Sequence, residues 1–75
     1  MEEEVRQNKA LFLWKKVVGE QINKHTKPEK VTFGKLYIKV DSPVWRQELM
    51  YQKSDIMNKI NMLMENANIK EIVLR

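Results

Sequence analysis

Two stretches of alternating apolar residues around Gly34 limit most strongly what this chain can fold into. Alternation with a period of two is typical of a β-strand with one buried face, and a glycine between two such stretches suits a tight turn. The pattern predicts a hairpin that turns at Gly34-Lys35. Its predicted buried face carries Val31, Phe33, Leu36, Ile38 and Val40, and its predicted open face carries Lys30, Thr32, Tyr37 and Lys39.

The segment before the hairpin predicts an amphipathic helix over residues 2–23. Its apolar positions recur at intervals of three and four residues, which places them on one helical face; they are Leu11, Trp14, Val18 and Ile22. Gly19 interrupts this pattern, and it indicates either the close approach of another element or an early end to the helix. Residues 25–28 predict a break, because Pro28 cannot continue a helix and favours an extended Lys27.

A second helix is predicted after the hairpin, with Ser42 as its N-cap and Pro43 in its first turn. It runs to about Asn66 along an apolar stripe of Trp45, Leu49, Ile56, Ile60 and Leu63. The stripe lacks one step near residues 52–53, so the pattern allows a kink there and a second cap at Ser54. Residues 66–68 predict the helix end, and residues 69–74 predict a third strand that buries Ile72 and Leu74.

The predicted element order is α-β-β-α-β, an α+β fold in one domain over residues 1–75. Two helices would cover one face of a three-stranded sheet and leave the other face open. A chain of 75 residues buries only about 60–65% of its unfolded surface, and this one has no cysteine for disulfides or thiolate metal sites. Packing alone must therefore stabilise it, and we expect no metal or cofactor.

The positive charge is concentrated in the middle of the chain. Residues 15–39 contain seven lysines against Glu20 and Glu29, which accounts for more than the whole net charge of +4. Such a segment is either a solvated lysine-rich surface or a site for a polyanion, and composition alone does not separate the two. The candidate nucleic-acid-binding residues are Lys24, Lys27, Lys30, Lys35, Lys39 and, for stacking, Tyr37.

Residue types that carry catalysis are sparse. His25 is the only histidine, and we interpret it as a loop residue; no glycine-rich phosphate loop is present. We therefore expect a non-enzymatic binding protein. The sequence shows neither an apolar membrane span nor the basic start of a signal peptide, so a cytoplasmic location is expected. Trp14 and Trp45 are predicted in the core, whereas Met50 and Met62 are candidates for a protein-contact patch.

Five blocks of the sequence, in their order and spacing, resemble the DciA-type family. Together they extend from Trp14 to Arg75. The blocks are Trp14–Gly19 followed by Ile22 and His25-Thr26; Gly34–Val40; Ser42–Leu49; Lys53 with Ile56 and Ile60-Asn61; and Ile69–Arg75.

The resemblance implies a KH-like domain that helps to load or operate the bacterial replicative helicase on single-stranded DNA. The implied partners are that helicase and single-stranded DNA or RNA. The chain lacks the Gly-x-x-Gly loop with which true KH domains clamp a nucleic-acid backbone. Two alternatives remain open: a protein-interaction module without affinity for nucleic acid, and an RNA-binding protein.

Overall fold

A three-stranded sheet with helices on one face forms the body of the protein. The computed structural model describes residues 2–64 and 69–75, with side chains over residues 9–64 and 69–75. The elements are α1 (Glu2–Val18), α2 (Glu20–Lys24), β1 (Thr26–Thr32), β2 (Lys35–Val40), α3 (Pro43–Leu63) and β3 (Glu71–Leu74). Strand β2 is central, antiparallel to β1 and parallel to β3. The predicted α+β class is confirmed, and the predicted helix end at residues 66–68 lies outside the described residues.

The long helix predicted over residues 2–23 is two helices, because α1 ends at Val18. Gly19 has φ 87° and ψ 169°, a backbone conformation open essentially to glycine alone. Its N–H donates to the Lys15 carbonyl at 2.8 Å, and its carbonyl accepts from Asn23 at 3.0 Å. A side chain added at residue 19 would have no neighbour within 4 Å. Gly19 therefore ends one helix and starts the next, and the alternative of a close approach is wrong.

The hairpin turns one residue earlier than predicted, and Phe33 is not in the core. Thr32 faces Lys35, so Phe33 and Gly34 form a two-residue turn with φ of 51° and 80°. Positive φ at both turn residues defines the type I′ turn, which follows the right-handed twist of the strands. Phe33 is 90% exposed, although its alternation with Val31 predicted burial. Alternation fixes a face only while the strand continues, and this strand ends at Thr32.

Strand β1 also begins earlier than predicted, at Thr26, so the break before it is confined to His25. Pro28 is tolerated because β1 lies at the edge of the sheet, where a missing N–H costs no ladder hydrogen bond. The pairing register shifts between Pro28 and Lys30, which leaves Glu29 as a bulge. This bulge keeps Lys27 and Lys30 on the same face of the sheet.

The core lies between the helices and the face of β2 that carries Leu36, Ile38 and Val40. Trp14 is 1% exposed, as predicted, and its indole Nε1 donates to the Thr26 hydroxyl at 2.8 Å. That hydroxyl donates in turn to the Ile22 carbonyl at 2.9 Å. Within residues 9–64 and 69–75, the buried apolar side chains that form the core are Ala10, Trp14, Leu36, Ile38, Val40, Leu49, Ile56, Ile60, Met64, Ile69 and Ile72.

Helix α3 is continuous from Pro43 to Leu63, so the second helical piece that Ser54 could have capped does not form. The polar residues at the missing step need no break: Gln52 donates to Glu48 at 2.9 Å, and the Lys53 ammonium lies 3.0 Å from the Glu71 carboxylate. The predicted N-cap is confirmed, since the Ser42 hydroxyl accepts from the Trp45 N–H at 3.5 Å.

The end of α3 is joined to the third strand through one amide side chain. Asn61 donates to the Ile69 carbonyl at 2.9 Å and accepts from the Ile69 N–H at 2.7 Å. Leu63, predicted in the buried stripe, is 42% exposed, and Met64 fills the core in its place. Ile72 is buried and Leu74 is half-buried, as the sequence predicted.

Candidate nucleic-acid interface

The face of the sheet turned away from the helices carries three rows of side chains across the strands. Residues that pair directly across strands point to the same face. Arg75 extends the ladder, because its N–H donates to Ile38 and its carbonyl accepts from Val40, which places it beside Lys39. The rows are Lys27, Lys39 and Arg75; Lys30, Tyr37 and Val73; and Thr32, Lys35 and Glu71. We refer to these nine residues as the open face.

Tyr37 lies at the centre of the open face, between two cations. The Lys30 ammonium lies 5.1 Å from the centre of its ring, and the Arg75 guanidinium carbon lies 5.5 Å from it. Both distances are within the range of cation–π attraction. The ring is half-buried among these neighbours, so a base that stacks on it would share the surface with the two cations.

Four lysines of the open face are exposed, and none of them has a carboxylate within 4.0 Å among the residues described. The two acidic residues nearby are engaged elsewhere. Glu29 lies 3.3 Å from the Arg75 guanidinium, and Glu71 pairs with Lys53 of α3. The open face therefore presents the charges of Lys27, Lys30 and Lys39 without an acidic side chain in their rows, while Lys35 lies opposite Glu71.

Glu71 is held ionised at the rim of this face. The hydrogen bond from Lys53 lowers the pKa of the Glu71 carboxyl, and the Ile72 N–H, which donates to it at 2.9 Å, lowers it further. The positive charge of Lys35 acts in the same direction with a smaller effect. Glu71 consequently stays charged, forms its ion pair with Lys53 of α3, and offsets the charge of Lys35 only through the weaker interaction at longer range.

The structure brings together five of the six residues that the sequence predicted for this site. Lys27, Lys30, Lys35, Tyr37 and Lys39 share the open face, whereas Lys24 is exposed at the end of α2, outside the sheet. Arg75 was missed. It lies one residue beyond the predicted third strand, and continuing the alternation two residues past Val73 would have placed it on the same face.

A groove of about 440 Å³ lies on the helical side of the molecule, between α3 and the α1–α2 junction. Trp45, predicted in the core, is half-buried: it packs against the core and lines the groove, and the His25 ring stacks on it with centres 5.2 Å apart and planes at 17°. His25, in the turn before β1 as predicted, has its Nδ1 3.2 Å from Asp41. The lining residues are Val18, Gln21, Ile22, Val44, Trp45, Glu48 and Gln52.

Helix α3 also carries large apolar side chains in solvent, one of which, Val44, lines the groove. They include both methionines that were candidates for a contact patch, and they are Val44, Met50, Tyr51 and Met62. Residues 2–64 and 69–75 contain no cluster of potential metal ligands and no helix long and apolar enough to cross a membrane.

Comparison with known families identifies the chain. Comparison with curated proteins gives no match. A family model described as "Dna[CI] antecedent, DciA" matches residues 1–74, which confirms the resemblance carried by the five sequence blocks. The chain therefore belongs to the DciA family, whose role is in bacterial DNA replication and helicase loading and whose members are accessory factors rather than known enzymes.

Proposed function

We propose that the open face binds single-stranded nucleic acid, and that the protein is a non-enzymatic accessory factor that helps to load or operate the replicative helicase on single-stranded DNA. The observation that carries the proposal is the pair of Lys27 and Lys39, which face each other across β1 and β2. Like charges directly opposite in a sheet are destabilising. A phosphate that binds between them turns this repulsion into attraction and releases counterions.

The shape of the open face favours a single strand. Three strands about 4.8 Å apart make a shallow surface roughly 10 Å wide, with the Tyr37 ring near its middle. Single-strand-binding proteins combine backbone-tracking cations with aromatic rings on which bases stack. The lysines of β1 and β2 and the tyrosine at the centre of β2 provide both.

We further propose that the domain is KH-like. Its order of helices and strands matches the predicted α-β-β-α-β pattern once α1 and α2 are taken together. The Gly-x-x-Gly clamp is missing, and α3 runs uninterrupted past Ser54. We therefore assign binding to the open face of the sheet rather than to a helix–helix loop.

The test measures the anisotropy of a fluorescein-labelled oligothymidylate of 20 nucleotides as protein is added. Lys27→Gln/Lys39→Gln should weaken binding and reduce the slope of log K against log salt by about 1.4, or about 0.7 for each phosphate that is no longer neutralised. The matched control is Lys15→Gln/Lys16→Gln, which removes the same charge from the exposed end of α1. Equal weakening in both variants would mean that net charge, and not the open face, governs binding. An RNA oligonucleotide of the same length separates DNA preference from RNA preference.

The groove on the helical side supports the second candidate, a protein-interaction module. Val44 is 76% exposed at its edge, so Val44→Glu should leave the fold intact and disturb a protein contact there. In pull-downs from a nuclease-treated bacterial lysate, recovery of the helicase by the wild type tests direct contact. If the wild type fails to bind oligonucleotide and still recovers the helicase, a role in protein interaction replaces the nucleic-acid proposal.

A further inference from the structure

Phe33 occupies a position in the hairpin for which the fold gives no reason. It is the first residue of the type I′ turn, with φ 51°, where Asn, Asp or Gly is the usual choice. A bulky side chain rarely adopts positive φ, because its Cβ crowds the backbone. The side chain is 90% exposed, so it gains almost no burial in exchange for this strain.

A strained backbone conformation that no buried contact of the side chain offsets indicates a role in binding. Phe12, which is 85% exposed on α1, is the other phenylalanine of the chain and has no such strain, because it lies in a regular helix. The two phenylalanines therefore differ in backbone conformation and in surroundings, and they serve as a matched pair for experiments.

Lysines surround the turn that carries Phe33. Lys35 follows the turn and begins the open-face part of β2. Lys70 donates its N–H to the Gly34 carbonyl at 2.8 Å, and its side-chain Cγ and Cδ lie 3.3 Å from where a Cβ on residue 34 would sit. Both lysines are exposed. Three residues of strand, about 10 Å, separate the turn from the row that contains Tyr37.

We propose that the Phe33 ring stacks on a base of the nucleic-acid strand that lies on the open face. The inference rests on the proposed function and adds a binding residue to it. An exposed aromatic ring next to lysines suits a nucleotide, because the ring can stack on the base while the lysines bind the adjacent phosphates. Stacking does not depend on sequence, since every base has a π-face. The apolar groove lies on the helical side, so the setting of Phe33 fits a nucleotide better than an apolar protein segment.

The test uses Phe33→Asn, which creates the Asn-Gly pair that this turn prefers. We expect a higher midpoint of thermal unfolding together with an affinity for the labelled oligothymidylate that is about 5- to 140-fold weaker, the range for the removal of one stacked base. The slope of log K against log salt should stay unchanged, because no charge is removed. Phe33→Trp should retain affinity, and Phe12→Gln should bind as the wild type does.

The outcomes separate this inference from the function on which it rests. If Lys27→Gln/Lys39→Gln weakens binding and Phe33→Asn does not, the open face binds nucleic acid without Phe33, and the inference alone is overturned. Equal weakening by Phe12→Gln would also overturn it. If the wild type has no affinity for DNA or RNA, both proposals fail. Weaker binding by a stabilised Phe33→Asn, with recovery in Phe33→Trp, supports both.

Discussion

Reversing the charge of Lys39 should stabilise the protein while weakening its binding to single-stranded DNA. Lys39 lies on the central strand, with Lys27 beside it on β1 and Arg75, just after the end of β3, beside it on the other side. It is exposed and has no carboxylate partner within the described residues. Lys39→Glu replaces two repulsions by two attractions in a single substitution, and the interaction with Arg75 is the weaker of the two because Arg75 is paired with Glu29.

The magnitude follows from Coulomb's law for exposed charges. Two unit charges about 8 Å apart in water interact by about 0.5 kcal/mol. Reversing the sign of two such interactions gives an ideal gain of about 2 kcal/mol. Screening over a Debye length of about 10 Å at 0.1 M salt, together with side-chain freedom, reduces this gain to about 1 kcal/mol. For a domain of this size, that corresponds to a rise of about 4–8 °C in the unfolding midpoint.

Urea unfolding followed by tryptophan fluorescence, which reports on the buried Trp14 and the half-buried Trp45, measures the gain in the free energy of unfolding. The gain should be largest at low salt and vanish near about 1 M salt. Lys16→Glu is the matched control, since it changes net charge equally and places an acid in the last turn of α1, where the helix dipole disfavours it. A decrease of stability in Lys39→Glu, a gain that survives high salt, or an equal gain in Lys16→Glu would refute the reasoning.

Three further predictions concern the stability of the fold. Thr26→Val leaves the Trp14 Nε1 without its acceptor and should lower the free energy of unfolding in urea by about 1–3 kcal/mol. Gly19→Ala, despite open space for the methyl group, should cost about 1–3 kcal/mol because of its backbone conformation, measured in the same way. The pKa of Glu71 is lower in the folded state than in the unfolded state, so its ion pair with Lys53 stabilises the protein at pH values above the unfolded-state pKa. This stabilisation, about a few tenths of a kcal/mol, is lost as the pH falls through the folded-state pKa. Glu71→Gln should therefore make the free energy of unfolding depend less on pH over that range, as measured by urea unfolding at a series of acidic pH values.

Periodicity predicted the regular elements well because each buries a face over many residues. The stripe on α3 is carried by Leu49, Ile56 and Ile60, which are all buried, and the cap at Ser42 is present. The alternation of β2 places Lys35 and the other polar residues opposite the core for the same reason. Each of these features depends on a repeated spacing, which the sequence displays directly.

Features set by a single backbone conformation were harder to predict. Gly19 allows a helix break or a continued helix, and only the observed φ and ψ decide between them. Phe33 fits the alternation of β1 equally well in a longer strand; the register of the turn, fixed by Thr32 opposite Lys35, removes it from the core. Arg75 became part of the open face through pairing with β2, which is a long-range contact.

The arrangement of the two candidate surfaces has a consequence for how partners bind. The helices cover the buried face of the sheet, so the groove beside Trp45 opens on the helical side, while Lys27 and Lys39 lie on the opposite face. A nucleic-acid strand on the sheet and a protein in the groove would therefore touch no common residue. We expect the two partners to bind independently. Val44→Glu should weaken only the protein contact, and Lys27→Gln/Lys39→Gln should weaken only oligonucleotide binding. A saturating concentration of oligonucleotide should not displace the helicase. Displacement would show that the two partners share one surface, and it would require either the groove or the open face to be reassigned.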